Sequence, residues 1–158
     1  MTFYRFRVRL SNHSTGNLEM AEPDPLPFSA VLQSEQAGQL LRVGNPGRFT
    51  QVLDNLTTNS EYWIEHSLGQ KGQGKIHVEI RDPELVFYDN GLGIRPDLEE
   101  SLFELFVSGK DGNEGSGLGL FITRQLLLRD NCSISLDSER NEHNRLYRFI
   151  INFSGAKK

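Results

Sequence analysis

Cysteine, tryptophan and long apolar segments are nearly absent from this chain of 158 residues. It has one cysteine, Cys132, and one tryptophan. A single cysteine excludes an internal disulfide framework and is typical of a reducing compartment. No apolar run approaches the roughly 18 residues that a membrane span needs, and the first ten residues lack the apolar centre of a signal peptide. We therefore expect a cytoplasmic location and no membrane partner.

The sequence also lacks an excess of basic residues. Its formal net charge is −4 at pH 7 and its pI is about 5.6. A domain that grips nucleic-acid backbone over a broad face is usually basic, so no nucleic-acid partner is expected. The hydrophobic content of 37% and charged content of 24% are those of a folded globular protein. The length suits a single domain over residues 1–158, in which residues 1–40 predict only a strand and a proline-broken linker.

Apolar patterns along the chain predict a mixed order of strands and helices. Residues 3–10 alternate apolar and charged side chains, and a tight turn separates residues 75–80 from residues 85–89 as the two strands of a hairpin. This order predicts an α/β two-layer sandwich, with a mixed, mainly antiparallel sheet and helices packed on one face. The other expected elements are a strand at 39–43, helices at about 48–66, 96–106 and 118–128, and strands at 132–137 and 145–153.

The helix at 48–66 carries two stripes of side chains. Asn45 and Pro46 are typical of a helix start, as the N-cap and the first helical residue. At about 100° per residue the apolar positions share one face, and an amide-rich stripe follows its flank. The core stripe is Phe49, Val52, Leu53, Leu56, Ser60, Trp63 and Ile64, and the flanking stripe is Asn55, Asn59, Tyr62 and His66.

Two glycine-containing turns stand beside acidic or polar groups. Asp89 ends the apolar run "LVFYD" and precedes "NGLG". A carboxylate there can accept hydrogen bonds from a ligand's amino group while the glycines allow close approach, although Asp-Asn-Gly alone also makes an ordinary turn. The second turn, "GSGLGL" at 115–120, precedes a helix, where exposed backbone N–H groups favour phosphate. A flexible loop would have the same glycine-rich pattern.

The glycine-rich residues 108–120 match neither of two better-known phosphate-binding patterns. The dinucleotide pattern G-x-G-x-x-G needs a small residue where Leu120 stands, and the P-loop needs Ser or Thr after Gly-Lys, where "SGKDG" at 108–112 has Asp111. The amides Asn55 and Asn59, one helical turn apart, supply oxygen ligands of the kind that magnesium takes together with phosphate and water. Considered alone, they could equally be solvated polar residues.

Taken together, the four segments "DNLTTNSEYW", "DNGLGI", "LFELF" and "GSGLGL" occur in an order and at separations that closely resemble one family. It is the ATP-binding domain shared by histidine kinases, gyrase, MutL and heat-shock chaperones, which has the Bergerat-type fold. The resemblance covers about residues 40–153 and is greatest to sensor histidine kinases. It implies one nucleotide between the two glycine turns, with adenine at the first and phosphates at the second.

The resemblance also implies a role for each matching residue. Asn59 would hold Mg²⁺ with Asn55 as its partner one turn earlier, and Asp89 would bind the adenine amino group. Lys110 would reach the phosphates from a lid over residues 95–114, which "LFELF" anchors and which orders when ATP binds. The remaining ATP-binding residues would be Gly91, Gly93 and Ile94 at the adenine, and Gly115, Ser116, Gly117, Leu118, Gly119 and Leu120 around the triphosphate.

The implied activity is an ATP- and Mg²⁺-dependent protein-histidine kinase domain in two-component signalling. Its partners would be a histidine-bearing dimerisation domain and a response-regulator receiver downstream. An ATPase conformational switch and a non-catalytic ATP-sensing module are the alternatives. Two positions depart from the kinase pattern, since Ser60 replaces a common alanine and Tyr62 a common basic residue. None of the four histidines stands in the acceptor context of a histidine followed by an acid on a dimerising helix.

Overall fold

The computed structural model describes residues 5–10, 45–68, 74–110 and 115–156. Within these ranges two helices and a short 3₁₀ helix accompany a five-stranded sheet. The predicted strand at 39–43 lies outside the described residues. In chain order the elements are β1 (Arg5–Leu10), α1 (Pro46–Leu68), β2 (Lys75–Arg81), β3 (Glu84–Asp89), the 3₁₀ helix (Pro96–Leu98), α2 (Gly119–Arg129), β4 (Ser133–Leu136) and β5 (Arg148–Asn152).

The sheet has the order β1-β2-β3-β5-β4. Only β1 and β2 run parallel, while the other neighbours are antiparallel. Ile76 on β2 lies opposite Asp89 on β3, and Phe87 on β3 lies opposite Phe149 on β5. The mixed, mainly antiparallel sheet is therefore confirmed, and β5 is placed directly beside the strand that ends at Asp89.

The core lies between one face of the sheet and the two helices. Because side chains alternate across a strand, every second residue of β2 and β3 points towards α1. The predicted core stripe of α1 is confirmed except at Trp63, which is only partly buried. The buried apolar residues that form this core include Val52, Leu53, Leu56 and Ile64 from α1, Leu127 from α2, and Ile76, Val78, Ile80, Leu85, Phe87, Ile134 and Ile151 from the sheet.

Helices α1 and α2 pack side by side in opposite directions. Asn45 caps α1, because its Oδ1 accepts the backbone N–H of Arg48 at 3.1 Å. The Arg48 side chain then makes a two-pronged ion pair with Asp130 just after α2. At the other end, Asn55 reaches the first residues of α2. The Asn55 contacts fix the start of α2 beside the middle of α1, whereas the Arg48–Asp130 pair lies at the far end of α2, beside the start of α1.

The predicted helix at 96–106 is wrong. Only Pro96–Leu98 is helical, as one 3₁₀ turn, and residues 99–106 continue as turns. Leu102 is buried, but Leu105 and Phe106 are 48% and 75% exposed, so no continuous apolar stripe faces the core. Phe106 has a φ of +64°, a left-handed conformation that no α-helix contains.

Of the helices in the described ranges, none combines the length and apolar content needed to cross a bilayer.

Candidate functional site

A cavity of about 700 Å³ opens between the middle of α1, the carboxyl end of β3 and the start of α2. All but two of the site residues expected from the sequence line it. Of the two exceptions, Gly91 donates its backbone N–H to Asp89 and Leu118 occupies the N-cap of α2. The lining residues from that set are Asn55, Asn59, Asp89, Gly93, Ile94, Lys110, Gly115, Ser116, Gly117, Gly119 and Leu120.

The carboxylate of Asp89 is fixed by two donors at the wall of the cavity. The backbone N–H of Gly91 donates to Oδ1 at 2.8 Å, and the Ser60 hydroxyl donates to Oδ2 at 2.5 Å. Burial raises the pKa of the Asp89 carboxyl, and the hydrogen bonds from Ser60 and Gly91 act in the opposite direction. A carboxylate has about four acceptor positions, so Asp89 can accept a further hydrogen bond from a ligand.

The two glycines after Asp89 are required by their surroundings. A Cβ on Gly91 would lie 2.9 Å from Asp89 Oδ1 and would displace the carboxylate. Gly93 has a φ of +83°, and a Cβ there would lie 2.8 Å from Asn141 Nδ2 and 2.9 Å from the Leu146 carbonyl oxygen. The loop after β3 therefore fits closely against the segment between β4 and β5.

The two asparagines of α1 have different surroundings. Asn59 lines the cavity, where its amide faces the glycine segment, and Nδ2 lies 3.9 Å from the position of a Cβ on Gly119. The Asn55 amide instead donates to the Gly119 carbonyl and to the Thr123 hydroxyl, each at 3.3 Å. Asn55 therefore ties the middle of α1 to the first turn of α2.

The glycine segment at 115–120 leads into α2 without a side-chain cap. Gly117 has a φ of +65°, and a Cβ there would lie 2.4–2.8 Å from the backbone of Phe106. The Gly117 carbonyl accepts the Phe106 N–H at 3.1 Å. At the N-cap position, Leu118 makes no side-chain hydrogen bond to the helix, so the first N–H groups of α2 are available to an anion in the cavity.

Lys110 extends along the cavity from the loop after Val107. Its ammonium nitrogen lies 4.2 Å from the centroid of the Tyr62 ring, a cation–π contact. The Tyr62 ring in turn stacks on the His66 ring, with centroids 3.8 Å apart. A cation from this loop thus occupies the region of α1 where the sequence has tyrosine in place of a basic residue. Residues 111–114 of the expected lid lie outside the described residues.

Several cavity residues were missed by the sequence analysis. The sequence analysis assigned Ser60 and Trp63 to the core face of α1. Trp63 follows Asn59 by one helical turn, and this spacing could have indicated that Trp63 also lines the cavity. Arg145, Tyr147 and Phe149 reach the cavity from alternate positions in and just before β5. Their period of two is a strand signal, but only the pairing of β5 with β3 brings them to the site.

The described residues contain no group of three or more His, Cys, Asp or Glu side chains that could hold a metal ion. Asn59 offers an amide oxygen to a divalent cation in the cavity, and the other ligands of such a cation would have to come from elsewhere. Mg²⁺ suits this arrangement because it keeps several waters and takes phosphate oxygens.

Comparison with protein families gives a match over most of the chain. Residues 44–154 match the family described as histidine kinase-, DNA gyrase B-, and HSP90-like ATPases. That range contains both helices, β2–β5 and all of the cavity residues described above.

Individual relatives include sensor kinases that are much longer than this chain. The sensor protein kinase PilS of Pseudomonas aeruginosa is 30% identical over 128 residues, which are 77% of this chain and 23% of the relative. The sensory histidine kinase/phosphatase NtrB of Vibrio alginolyticus is 46% identical over 102 residues, 56% of this chain and 27% of that protein. The chain thus spans about a quarter of the length of these relatives.

A solved structure shares the fold. The mycobacterial sensor histidine kinase MprB superposes with a TM-score of 0.54 at 27% identity, covering 68% of this chain and 70% of the other. This likeness confirms the predicted two-layer fold.

Proposed function

Because the chain belongs to the family of histidine kinase-, DNA gyrase B-, and HSP90-like ATPases, we propose that it is the Mg-ATP-binding catalytic domain of a protein-histidine kinase. It transfers the γ-phosphoryl group of ATP to a histidine on a separate domain. The observation that carries the kinase proposal is the environment of Asn55. By the family resemblance, an ATP-hydrolysing member would have a glutamate at this position, one turn before the Mg²⁺ asparagine, to activate water.

Each wall of the cavity has a separate task in this proposal. Asp89 accepts a hydrogen bond from the adenine amino group, which its Ser60 and Gly91 donors leave it free to do. The first N–H groups of α2 and the ammonium group of Lys110 balance the charge of the phosphates. These groups position the reactants and neutralise charge, which is most of what phosphoryl transfer requires from a protein.

Mg²⁺ is part of the proposal, held by Asn59 together with phosphate oxygens and water. Its contribution is charge neutralisation at the phosphates. Asn59 fits this role because its neutral amide lines the cavity on the α1 side, opposite the glycine segment.

The surroundings of Asn55 favour a kinase over an ATPase switch. Its Nδ2 donates to the Gly119 carbonyl and to Thr123, and an amide cannot take up a proton from water at neutral pH. Asp54, the neighbouring carboxylate, is exposed on another side of α1. A water molecule would therefore lack a general base at this point of the cavity, whereas an imidazole nucleophile brings its own lone pair.

A steady-state hydrolysis assay tests this choice. We expect the purified chain to hydrolyse ATP very slowly, and we expect Asn55→Ala to reduce that rate by less than about tenfold, since it removes two hydrogen bonds but no base. Loss of a true general base costs about 10²–10⁴-fold. A wild-type turnover of several per second, or a loss of that size in Asn55→Ala, contradicts the kinase proposal and supports the ATPase switch.

Partners and location complete the proposal. The histidine substrate lies on a dimerisation domain and the phosphoryl group passes on to a response-regulator receiver, as the resemblance to sensor histidine kinases implies. Residues 1–158 form one ATP-binding domain with residues 95–114 as its lid. A cytoplasmic location agrees with the single cysteine, which is buried and has no second cysteine in the chain to pair with.

The pH below which the protein loses ATP affinity depends on Ser60. Only the ionised Asp89 carboxyl is the strong acceptor, so ATP affinity falls as the pH drops through its pKa, which burial raises. The Ser60 hydrogen bond opposes that rise. We therefore expect Ser60→Ala to move the acid-side loss of ATP affinity to higher pH, measured by titration across pH 4–8, a range chosen to bracket a raised carboxyl pKa.

Ser67→Ala is the matched control for this shift, because the Ser67 hydroxyl bonds to the Ile64 carbonyl one turn away along α1. Its profile should follow that of the wild type. Coincident profiles for Ser60→Ala and the wild type would contradict the role of Ser60 in holding Asp89 ionised.

A further inference from the structure

The segment between β4 and β5, residues 137–147, forms one side of the cavity and contacts two parts of the site. We call it the β4–β5 loop. It supplies the cavity residues Arg145 and Tyr147. No motif in the sequence indicates this loop, and the family's glycine turns do not include it.

The first contact is with the glycine loop after Asp89. Asn141 Nδ2 donates to the Leu92 carbonyl at 3.0 Å, and the Ile94 N–H donates to the Leu146 carbonyl at 2.8 Å. Between them, Gly93 lies so close that a Cβ would meet Asn141, Leu146 and Arg145 within 3.0 Å. The β4–β5 loop thus holds the backbone that follows the adenine-binding carboxylate.

The second contact is with the base of the lid. Arg140 makes a two-pronged ion pair with Glu99, at 2.9 and 3.1 Å, directly after the 3₁₀ helix. The Glu99 side chain is only 17% exposed. Paired, parallel hydrogen bonds of this kind give an arginine–carboxylate contact a fixed geometry, so Arg140 fixes where the lid begins.

Asn141 divides its two side-chain atoms between these tasks. Its Oδ1 stays within the loop and accepts the N–H groups of His143 and Arg145, at 3.0 and 3.1 Å. Only Nδ2 leaves the loop, towards Leu92. The oxygen therefore shapes the β4–β5 loop, and the nitrogen joins it to the glycine loop.

The loop is itself anchored in the sheet. The Tyr147 hydroxyl donates to Glu139 at 2.8 Å, and the Arg148 guanidinium pairs with the same carboxylate. Burial and the bond to Glu139 raise the pKa of Tyr147 to about 12, so its hydroxyl stays a donor at neutral pH. Arg148 is buried against the Tyr88 ring. A rigid base of this kind lets the loop position what it touches.

We propose that Asn141 and Arg140 are positioning residues for nucleotide binding, which join the adenine-binding glycine loop and the base of the lid into one unit. The inference rests on the proposed function, since it concerns the same cavity. Adenine bound to Asp89 lies against the glycine loop, and the β4–β5 loop sets the position of that glycine loop. The same β4–β5 loop holds the first residues of the lid. Base recognition and lid position are thereby coupled through residues that do not touch the nucleotide.

The test for Asn141 is the single-atom change Asn141→Asp. It keeps the oxygen that the loop needs but replaces the donor to Leu92 with an acceptor. We expect ATP affinity to fall by about three- to tenfold, the loss of one hydrogen bond, and amide exchange at Ile94 to become faster in the protein without nucleotide. Unchanged affinity and exchange overturn the role of Asn141.

The test for Arg140 is a charge swap. Arg140→Glu and Glu99→Arg should each weaken ATP binding by roughly fivefold, because each puts like charges together, and should speed exchange over residues 96–104. The double variant should recover most of the loss, which a purely structural defect would not allow. Arg48→Glu is the matched control: it breaks a two-pronged pair with Asp130 away from the cavity and should leave ATP affinity unchanged.

These outcomes separate the inference from the function on which it rests. A wild-type protein that binds no ATP overturns the proposed function, and the role of the loop in binding with it. A wild-type protein that binds ATP, together with swap variants whose affinity equals that of the wild type or is not recovered in the double variant, overturns the inference alone.

Discussion

Replacing Asp89 with asparagine should abolish most ATP binding, with an affinity loss of more than about 100-fold. The carboxylate accepts the Gly91 N–H on Oδ1 and the Ser60 hydroxyl on Oδ2. An asparagine can accept on one atom only, so the Gly91 N–H and the amino group of adenine would have to share a single oxygen, while the Ser60 hydroxyl turns to accept from the new NH₂ group. The charge that strengthens the bond to adenine is lost as well.

Titration calorimetry of the variant with ATP measures this loss. Asp54→Asn is the control, because it removes the same charge from an exposed position on α1. An unfolded variant would also fail to bind, so the melting temperature of the protein without nucleotide is measured beside it. That temperature should not fall, since burial disfavours the charged carboxylate. A folded Asp89→Asn variant that binds ATP as tightly as the wild type would remove Asp89 from the site.

The second large effect should come from Gly117→Ala. A Cβ at this position would lie 2.4 Å from the Phe106 carbonyl carbon, and the φ of +65° disfavours any side chain. The glycine segment must then move away from Phe106, and its N–H groups move with it. We expect ATP affinity to fall by about 100-fold, the effect of some 2–3 kcal/mol at this conformation and contact.

Gly119→Ala provides the matched comparison for the protein without nucleotide. The same methyl group there meets only Asn59 Nδ2, at 3.9 Å, and alanine suits a helix better than glycine. Exchange of the Phe106 amide, which bonds to the Gly117 carbonyl, should become faster in Gly117→Ala and stay unchanged in Gly119→Ala. Equal exchange in both variants would show that Gly117 is not held against Phe106.

Much of the fold could be predicted because its signals are local. The apolar stripe and the Asn45 cap determined α1, and the alternation on both sides of the turn at 82–83 determined the hairpin of β2 and β3. The two glycine turns could be found because their backbone conformations favour glycine, as the positive φ of Gly93 and of Gly117 shows.

The parts that could not be predicted depend on contacts between distant segments. Residues 96–106 have a helical pattern, but the bond between the Phe106 N–H and the Gly117 carbonyl holds that residue in a left-handed conformation. Ser60 looked like one small residue of the core stripe until β3 brought Asp89 within hydrogen-bonding distance. Arg145 and Tyr147 enter the cavity only because β5 pairs with β3.

Asn55 shows how a motif can point to a residue without giving its contacts. The sequence placed it one turn before Asn59, as the partner of the residue expected to hold Mg²⁺. The structure adds that its amide donates to Gly119 and Thr123 on α2. Those partners lie 64 and 68 residues further along the chain, beyond the reach of any helical periodicity.

ATP binding in the cavity beside Asp89 underlies every role proposed above, and titration calorimetry of the wild-type chain with ATP, in the presence and absence of Mg²⁺, measures it. We expect one nucleotide bound per chain, tighter binding with Mg²⁺ than without it, and much weaker binding of GTP, which presents a carbonyl oxygen to Asp89 in place of an amino group. Absence of binding heat with ATP at millimolar concentration, or equal affinity for ATP and GTP, would contradict it.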